Sequence, residues 1–114
     1  MELGREDFEA LVEQALDEIP DEIAELVHNV VVLVEDDPPL REPGLLGVYE
    51  GVALTVRGAD HTGLPDRITI FRRPLLRMSR DAEELVREVR ITVVHEVAHH
   101  FGIDDDRLHE LGYG

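Results

Sequence analysis

The chain has 114 residues, enough for one domain around a single core and too few for a separate cofactor-binding domain. It carries 26 acidic residues against 11 basic ones, a formal net charge of −15, and every basic residue is an arginine. A field of that sign repels phosphate backbones and anionic lipid, so neither nucleic acid nor a membrane is expected as a partner. The absence of cysteine removes disulfides, thiolate metal sites and thiol nucleophiles.

The first residues, with Glu2, Glu6, Asp7 and Glu9, lack the basic start and apolar run of a secretory signal. The longest apolar stretch, 30–34, falls far short of the roughly 20 residues a membrane-spanning helix needs. A soluble, cytoplasmic protein is expected. With 43% hydrophobic but only 4% aromatic residues, its core must be aliphatic.

In chain order, Phe8, Leu11, Val12, Ala15, Leu16 and Ile19 recur at the spacings of an amphipathic stripe and predict a helix over about 5–18. Pro20, Asp21 and Glu22 ahead of Ile23, Leu26 and Val27 predict a short second helix with proline and acids at its start. Residues 1–27 thus hold ten carboxylates and one arginine, a strongly acidic outer layer. The apolar, mostly β-branched run 30–34, ended by three acids and two prolines, reads as a strand buried on both faces. A turn-rich stretch over 38–47 follows. Residues 48–57, punctuated by Gly51, alternate Val52, Leu54 and Val56 with Ala53, Thr55 and Arg57, the pattern of a hairpin or bent edge strand. A loop over 58–65 contains His61, and a third strand over 67–72 is closed by Pro74.

From Asp81 the pattern turns helical. Asp81 is the expected N-cap, Glu84 completes a capping box, and Glu83 can pair with Arg87 one turn on. The helix should reach Phe101, where Gly102 can adopt a left-handed conformation and stop it. A short helix over about 105–111 ends the chain. This order predicts an α+β fold, a small mixed sheet with helices packed on it, with residues 1–114 as one domain.

The long helix contains His95-Glu96-Val97-Ala98-His99, an H-E-x-x-H pattern. Residues four apart share a helix face, so His95 and His99 can both ligate one metal ion. Glu96 lies about 100° round the helix from His95. Its carboxylate can therefore flank a metal without occupying it, where a general base belongs. The five residues alone are a weak signal, but Gly102 and Asp105 follow His99 at intervals of three. A turn at Gly102 lets the chain fold back and deliver Asp105 as a third ligand. Two nitrogens and one oxygen leave a fourth position open, the arrangement of a catalytic rather than a structural zinc site. Asp104 and Asp106 flank Asp105 and compete with it, since the run of three acids could equally cap the last helix.

The motif His95-Glu96-x-x-His99-x-x-Gly102-x-x-Asp105 resembles the zincin metallopeptidases. Its spacing is similar to the metzincin pattern, with Asp105 where that pattern has histidine. With its small size and helix-first order, the chain resembles the small bacterial zincin-like family of predicted metallopeptidases. Eleven residues carry the motif, and the order of elements extends the likeness over about 30–112. The resemblance implies a zincin-like fold, an active-site helix against a small sheet and an N-terminal helix. It implies His95, His99 and Asp105 as Zn2+ ligands and Glu96 as general base. It also implies a substrate-binding edge strand within 46–56 and a peptide or protein substrate whose amide bond is hydrolysed by an activated water. The pattern departs in that both methionines, Met1 and Met78, lie upstream of the motif, so no methionine turn follows it. Tyr113, Tyr49, His100 and His109 are the candidates for an oxyanion or supporting role by their donor chemistry.

The alternative is a zincin-fold module that binds metal, cleaves nothing and serves protein association. His28 and His61 read as ordinary surface or loop residues. Arg67, Arg72, Arg73, Arg77 and Arg80 form a basic stretch that offsets the acidic amino-terminal layer rather than binding an acidic substrate.

Overall fold

A computed structural model describes residues 1–51 and 65–113. Helix α1 (Arg5–Asp17) and helix α2 (Asp21–Val27) open the chain. They are followed by strands β1 (Val30–Glu35), β2 (Gly47–Glu50) and β3 (Asp66–Phe71). Helix α3 (Arg72–Met78), the long α4 (Ala82–Phe101) and α5 (Asp105–Glu110) complete it. This is an α+β fold. The three strands form a mixed sheet in the order β1-β3-β2, with β1 parallel and β2 antiparallel to β3. Among the described residues no helix is long and apolar enough to cross a membrane.

The core forms where α4 meets the amino-terminal helices and the inner face of the sheet. Phe8, Val12 and Ala15 of α1 bury against Leu85, Val86, Val89 and Val93 of α4, with Ile68 and Ile70 of β3 and Leu75 of α3 closing the cluster. The side chains are almost all aliphatic, as the composition requires.

Two predicted elements need correction. The run 30–34 is not buried on both faces: Val30, Val32 and Val34 are half-buried, whereas Val31 and Leu33 are 42% and 39% exposed. β1 lies at an end of the sheet and only one of its faces is covered, so alternate side chains turn to solvent. Nor does Pro74 simply close a strand. β3 ends at Phe71 and the chain enters α3 directly, with Pro74 in the first turn, where a missing backbone N–H costs nothing. Of the hairpin or bent edge strand expected over 48–57, β2 covers the residues up to Glu50, and the portion beyond Gly51 lies outside the described residues, as do His61 and most of the loop over 58–65.

The carboxyl end of β1 is fastened by charge. Asp36 accepts from Arg72 Nε at 2.9 Å and lies 3.5 Å from Arg5 Nη1, while its backbone oxygen accepts from Arg73 N at 3.0 Å. The Arg72 hydrogen bond, aided by the charges of Arg72, Arg5 and Arg73 against some desolvation, holds the Asp36 carboxyl below the usual carboxylate range. The basic stretch is thereby accounted for differently from expectation. Arg72 and Arg73 pair with Asp36 and Asp37, Arg67 with Glu50, and Arg80 with Glu84. The acids of the amino-terminal layer are met instead by Arg90 at Glu18 and Arg107 at Glu22.

β2 approaches α4 closely because Gly47 has no side chain. A Cβ there would stand 2.8 Å from Thr92 Cγ2 and 3.1 Å from the Thr69 carbonyl. Gly47→Ala should therefore destabilise the fold by about 1–3 kcal/mol through overpacking, measurable by urea denaturation. For Asp36, the depressed carboxyl contributes stability above the ordinary carboxylate range and loses it as the pH falls through the lowered value. The difference in melting temperature between wild type and Asp36→Asn should be constant above about pH 5 and shrink steadily below about pH 4.

Candidate metal centre

α4 holds two histidines outward while burying its apolar face. Asp81 caps it, its side chain accepting from Glu84 N at 2.8 Å. The Glu84 carboxylate returns to Arg80 N at 2.9 Å, one residue before the cap. Arg87 pairs with Glu84 and Glu88 rather than Glu83, because Glu84 is already fixed at the cap and presents its second oxygen. Val86, Val89, Val93 and Val97 are buried, and so are Val94 and Ala98. His95 and His99 are exposed on the remaining side, with Glu96 half-buried beside them.

The helix stops at Gly102, whose φ of 72° lies in the left-handed region, and Gly102 N–H and Ile103 N–H both return to the Ala98 carbonyl. This reversal gives the three acids different places. Asp104 is the N-cap of α5, its side chain accepting from Arg107 N at 2.8 Å. Asp105 and Asp106 follow in the first turn. Asp105 lines a cavity of about 770 Å³ together with His95, His99, Ile103, Leu108 and Tyr113. α5 is held in place by Arg107, which bonds Glu22 of α2 through two nitrogens and Glu110 through a third at 2.7 Å. These bonds hold the Glu22 carboxyl below its ordinary range and raise the Arg107 guanidinium further.

The donors are brought to one cavity but are not drawn together. Among the described residues no three histidine or carboxylate groups stand close enough to share an ion. His95 Nε2 instead contacts the Tyr113 carbonyl at 2.8 Å. Glu96 is also engaged: its Oε1 accepts from the backbone N–H of Tyr49 at 3.0 Å, linking α4 to β2.

The other candidates separate clearly. Tyr49 donates its hydroxyl to Asp66 Oδ2 at 2.8 Å, and its ring stacks on His100 with centroids 3.9 Å apart. His100 Nε2 lies 3.9 Å from the same Asp66 oxygen. Tyr49 and His100 therefore form a packed corner beside Glu96. Tyr113 is at the cavity, whereas His109, on α5, does not line it. Asp66 and the Tyr49 backbone carry no motif and were not foreseen; the only sequence signal was the placing of an edge strand within 46–56. His28, as expected, is an exposed residue, its Nδ1 2.7 Å from the Glu25 carbonyl.

The zincin-like metallopeptidase family model matches residues 27–114. The chain belongs to the zincin-like metallopeptidase family. Among solved structures it is similar to TTHA0227, a conserved hypothetical protein of T. thermophilus. The two are 28% identical, with 87% of this chain and 94% of that one covered and a TM-score of 0.56. No curated protein matches this zincin-like chain.

The donor set fits zinc in kind: two imidazoles one helical turn apart and a carboxylate lining the same cavity, with no thiolate needed. Asp104 and Asp105 should also separate by experiment. Asp104→Ala removes a cap and should cost about 1 kcal/mol while raising amide exchange across α5. Asp105→Ala should leave stability within about 0.5 kcal/mol, because the side chain is exposed and caps nothing.

Proposed function

We propose that this chain is a zinc-dependent metallopeptidase that hydrolyses peptide bonds, with Glu96 as general base and His95, His99 and Asp105 as the residues that would hold the ion. The observation that carries this reading is the meeting of the two α4 histidines and Asp105 at one cavity, with Glu96 on the side of the helix that faces the strand β2. Zinc, when bound, supplies Lewis acidity that polarises a carbonyl and makes water a nucleophile near neutral pH. The protein's own part is positional and acid–base. In the resting chain Tyr49 N–H holds Oε1 of Glu96, and Oε2 is the oxygen that takes the proton of the attacking water. The same oxygen returns that proton to the leaving amine nitrogen as the carbon–nitrogen bond breaks. Ile103, Leu108 and Ala98 give the cavity an apolar wall that limits bulk water around the reacting groups.

A second reading is a module of the same fold that holds metal without cleaving. It is favoured by one observation, the Tyr49 N–H on Glu96 Oε1, which engages the carboxylate that cleavage would need.

Purified protein should take up zinc, and His95→Ala or His99→Ala should lose it. Asp105→Ala should weaken zinc binding by more than the roughly 10–100-fold typical of losing a supporting residue. Uptake is read by elemental analysis and chelator competition. Zinc-loaded wild type should cleave members of a mixed peptide library, with activity falling at least about 10²-fold in Glu96→Gln. Zinc uptake without any cleavage would leave the second reading standing, and no zinc uptake by the wild type would remove both.

A further inference from the structure

Glu96 and a peptide substrate need the same hydrogen bond. The pairing of β2 with β3 sets Gly47 opposite Ile70, Val48 opposite Thr69, Tyr49 opposite Ile68 and Glu50 opposite Arg67. Just before the strand, the Leu46 carbonyl accepts from Phe71 N–H at 3.0 Å. In an antiparallel ladder the residues that bond the partner strand alternate with residues whose N–H and C=O turn away from it. Leu46, Val48 and Glu50 therefore face β3, and Gly47 and Tyr49 present their backbone groups to the opposite edge. No described strand lies beyond β2 on that side. Tyr49 N–H is thus an outward donor of the kind an added strand uses, and it is bonded to Glu96 Oε1.

The strand is pinned where it lies. The Tyr49 ring stacks on His100 at 3.9 Å and meets Phe101 edge-on at 5.9 Å, and its hydroxyl is bonded to Asp66. A Cβ on Gly51 would stand 3.0 Å from His100 Cε1, so the backbone beyond Tyr49 also sits directly on α4. Glu96, by contrast, is a side chain with three rotatable bonds on an exposed border of the helix. Where a peptide and Glu96 compete for Tyr49 N–H, it is the carboxylate that yields.

We propose that Tyr49 N–H is the resting partner of Glu96 and passes to a backbone carbonyl of an extended peptide that pairs with the outer edge of β2, freeing the Glu96 carboxylate. This rests on the peptidase reading of Glu96 and on the edge-strand docking that the family resemblance implies, and adds to them the exchange of one hydrogen bond. A compact amide offers no carbonyl in register with Tyr49 and leaves Glu96 engaged. Asp66 and His100 act through Tyr49 as positioning residues, holding the shared donor still.

The test uses the metal-free full chain, in which binding is read without cleavage. The probe is the capped peptide acetyl-Lys-Thr-Val-Thr-Val-Lys-amide, strand-forming and cationic to suit an acidic protein. Affinity is measured by calorimetry for wild type, Glu96→Ala, Glu96→Asp and Glu96→Gln. Alanine removes the competitor, and aspartate keeps the charge but loses the reach. Glutamine keeps an acceptor in place without the charge. Glu96→Ala and Glu96→Asp should bind the probe about tenfold or more tighter than wild type, the loss of a charge-assisted competitor. Glu96→Gln should lie between, nearer wild type. Amide exchange should show Tyr49 N–H protected in the free wild type, unprotected in free Glu96→Ala, and protected again in both when the probe is bound. Binding tighter in Glu96→Gln than in Glu96→Asp would make charge the cause and overturn the proposal. Equal affinities across the series, no binding of the probe to any variant, or an unprotected Tyr49 amide in the free wild type would overturn it too. Failure of the peptidase reading gives a different result: zinc-loaded wild type leaves peptides intact while the order of affinities stands.

Discussion

The structure depends on the burial of α4. A 20-residue helix contacted by α1, α2, α3, β2 and β3 has one side left for solvent near its carboxyl end. His95 and His99 occupy that side. Because the valines at 86, 89, 93 and 97 are buried and Val94 and Ala98 are buried beside them, the helix cannot rotate without exposing apolar area. Each such side chain is worth roughly 1.5–3 kcal/mol when fully buried. The direction of both imidazoles is therefore set by hydrophobic packing rather than by contacts at the site, and it needs no ion to maintain it.

Beyond α4, residues that offer the cavity no ligand decide which side chain reaches it. A left-handed residue at Gly102 reverses the chain, and a cap at Asp104 restarts it as α5 two residues later. Neither side chain enters the cavity as a donor, yet together they decide that Asp105, and not Asp104, lines it beside the histidines. The Arg107 bonds to Glu22 then fasten α5 to the amino-terminal layer. The acidic residues of that layer thus have a structural use beyond solubility. Glu22 and Glu18 receive the arginines that pin α5 and α4, so two of the 26 acidic residues are paired at the places where helices must be held.

How much of this was legible in the sequence depends on the range of the forces involved. Helix caps, the stop at Gly102 and the four-residue spacing of the histidines are local, and Asp81, Gly102, His95 and His99 lie where their neighbours in sequence require. β1 was misread because five apolar residues in a row look the same whether or not a second layer covers them, and here Val31 and Leu33 have none. α3 was missed because Pro74 acts as a breaker in the interior of a helix but as a favourable residue in its first turn, and only the position of Arg72 as first residue tells the two apart. The contacts that matter most at the site were least legible. Tyr49 N–H to Glu96 and the Tyr113 carbonyl to His95 are made by the backbone, which leaves no residue-type signature. They join positions 47 and 18 residues apart, and only the folded chain brings them together.

These two backbone contacts also explain why His95, Glu96, His99 and Asp105 do not form a gathered metal centre among the described residues. His95 Nε2 cannot donate a proton to the Tyr113 carbonyl and present a lone pair to an ion at the same time. Asp105 stands at the start of α5, and Tyr113 follows the end of the same short helix, its N–H bonded back to the Leu108 carbonyl at 2.8 Å. One element therefore carries both the carboxylate that would join the histidines and the carbonyl that occupies one of them. The burial of α4 fixes the histidines, and the Arg107–Glu22 pair ties α5, with both of these groups, to the amino-terminal layer.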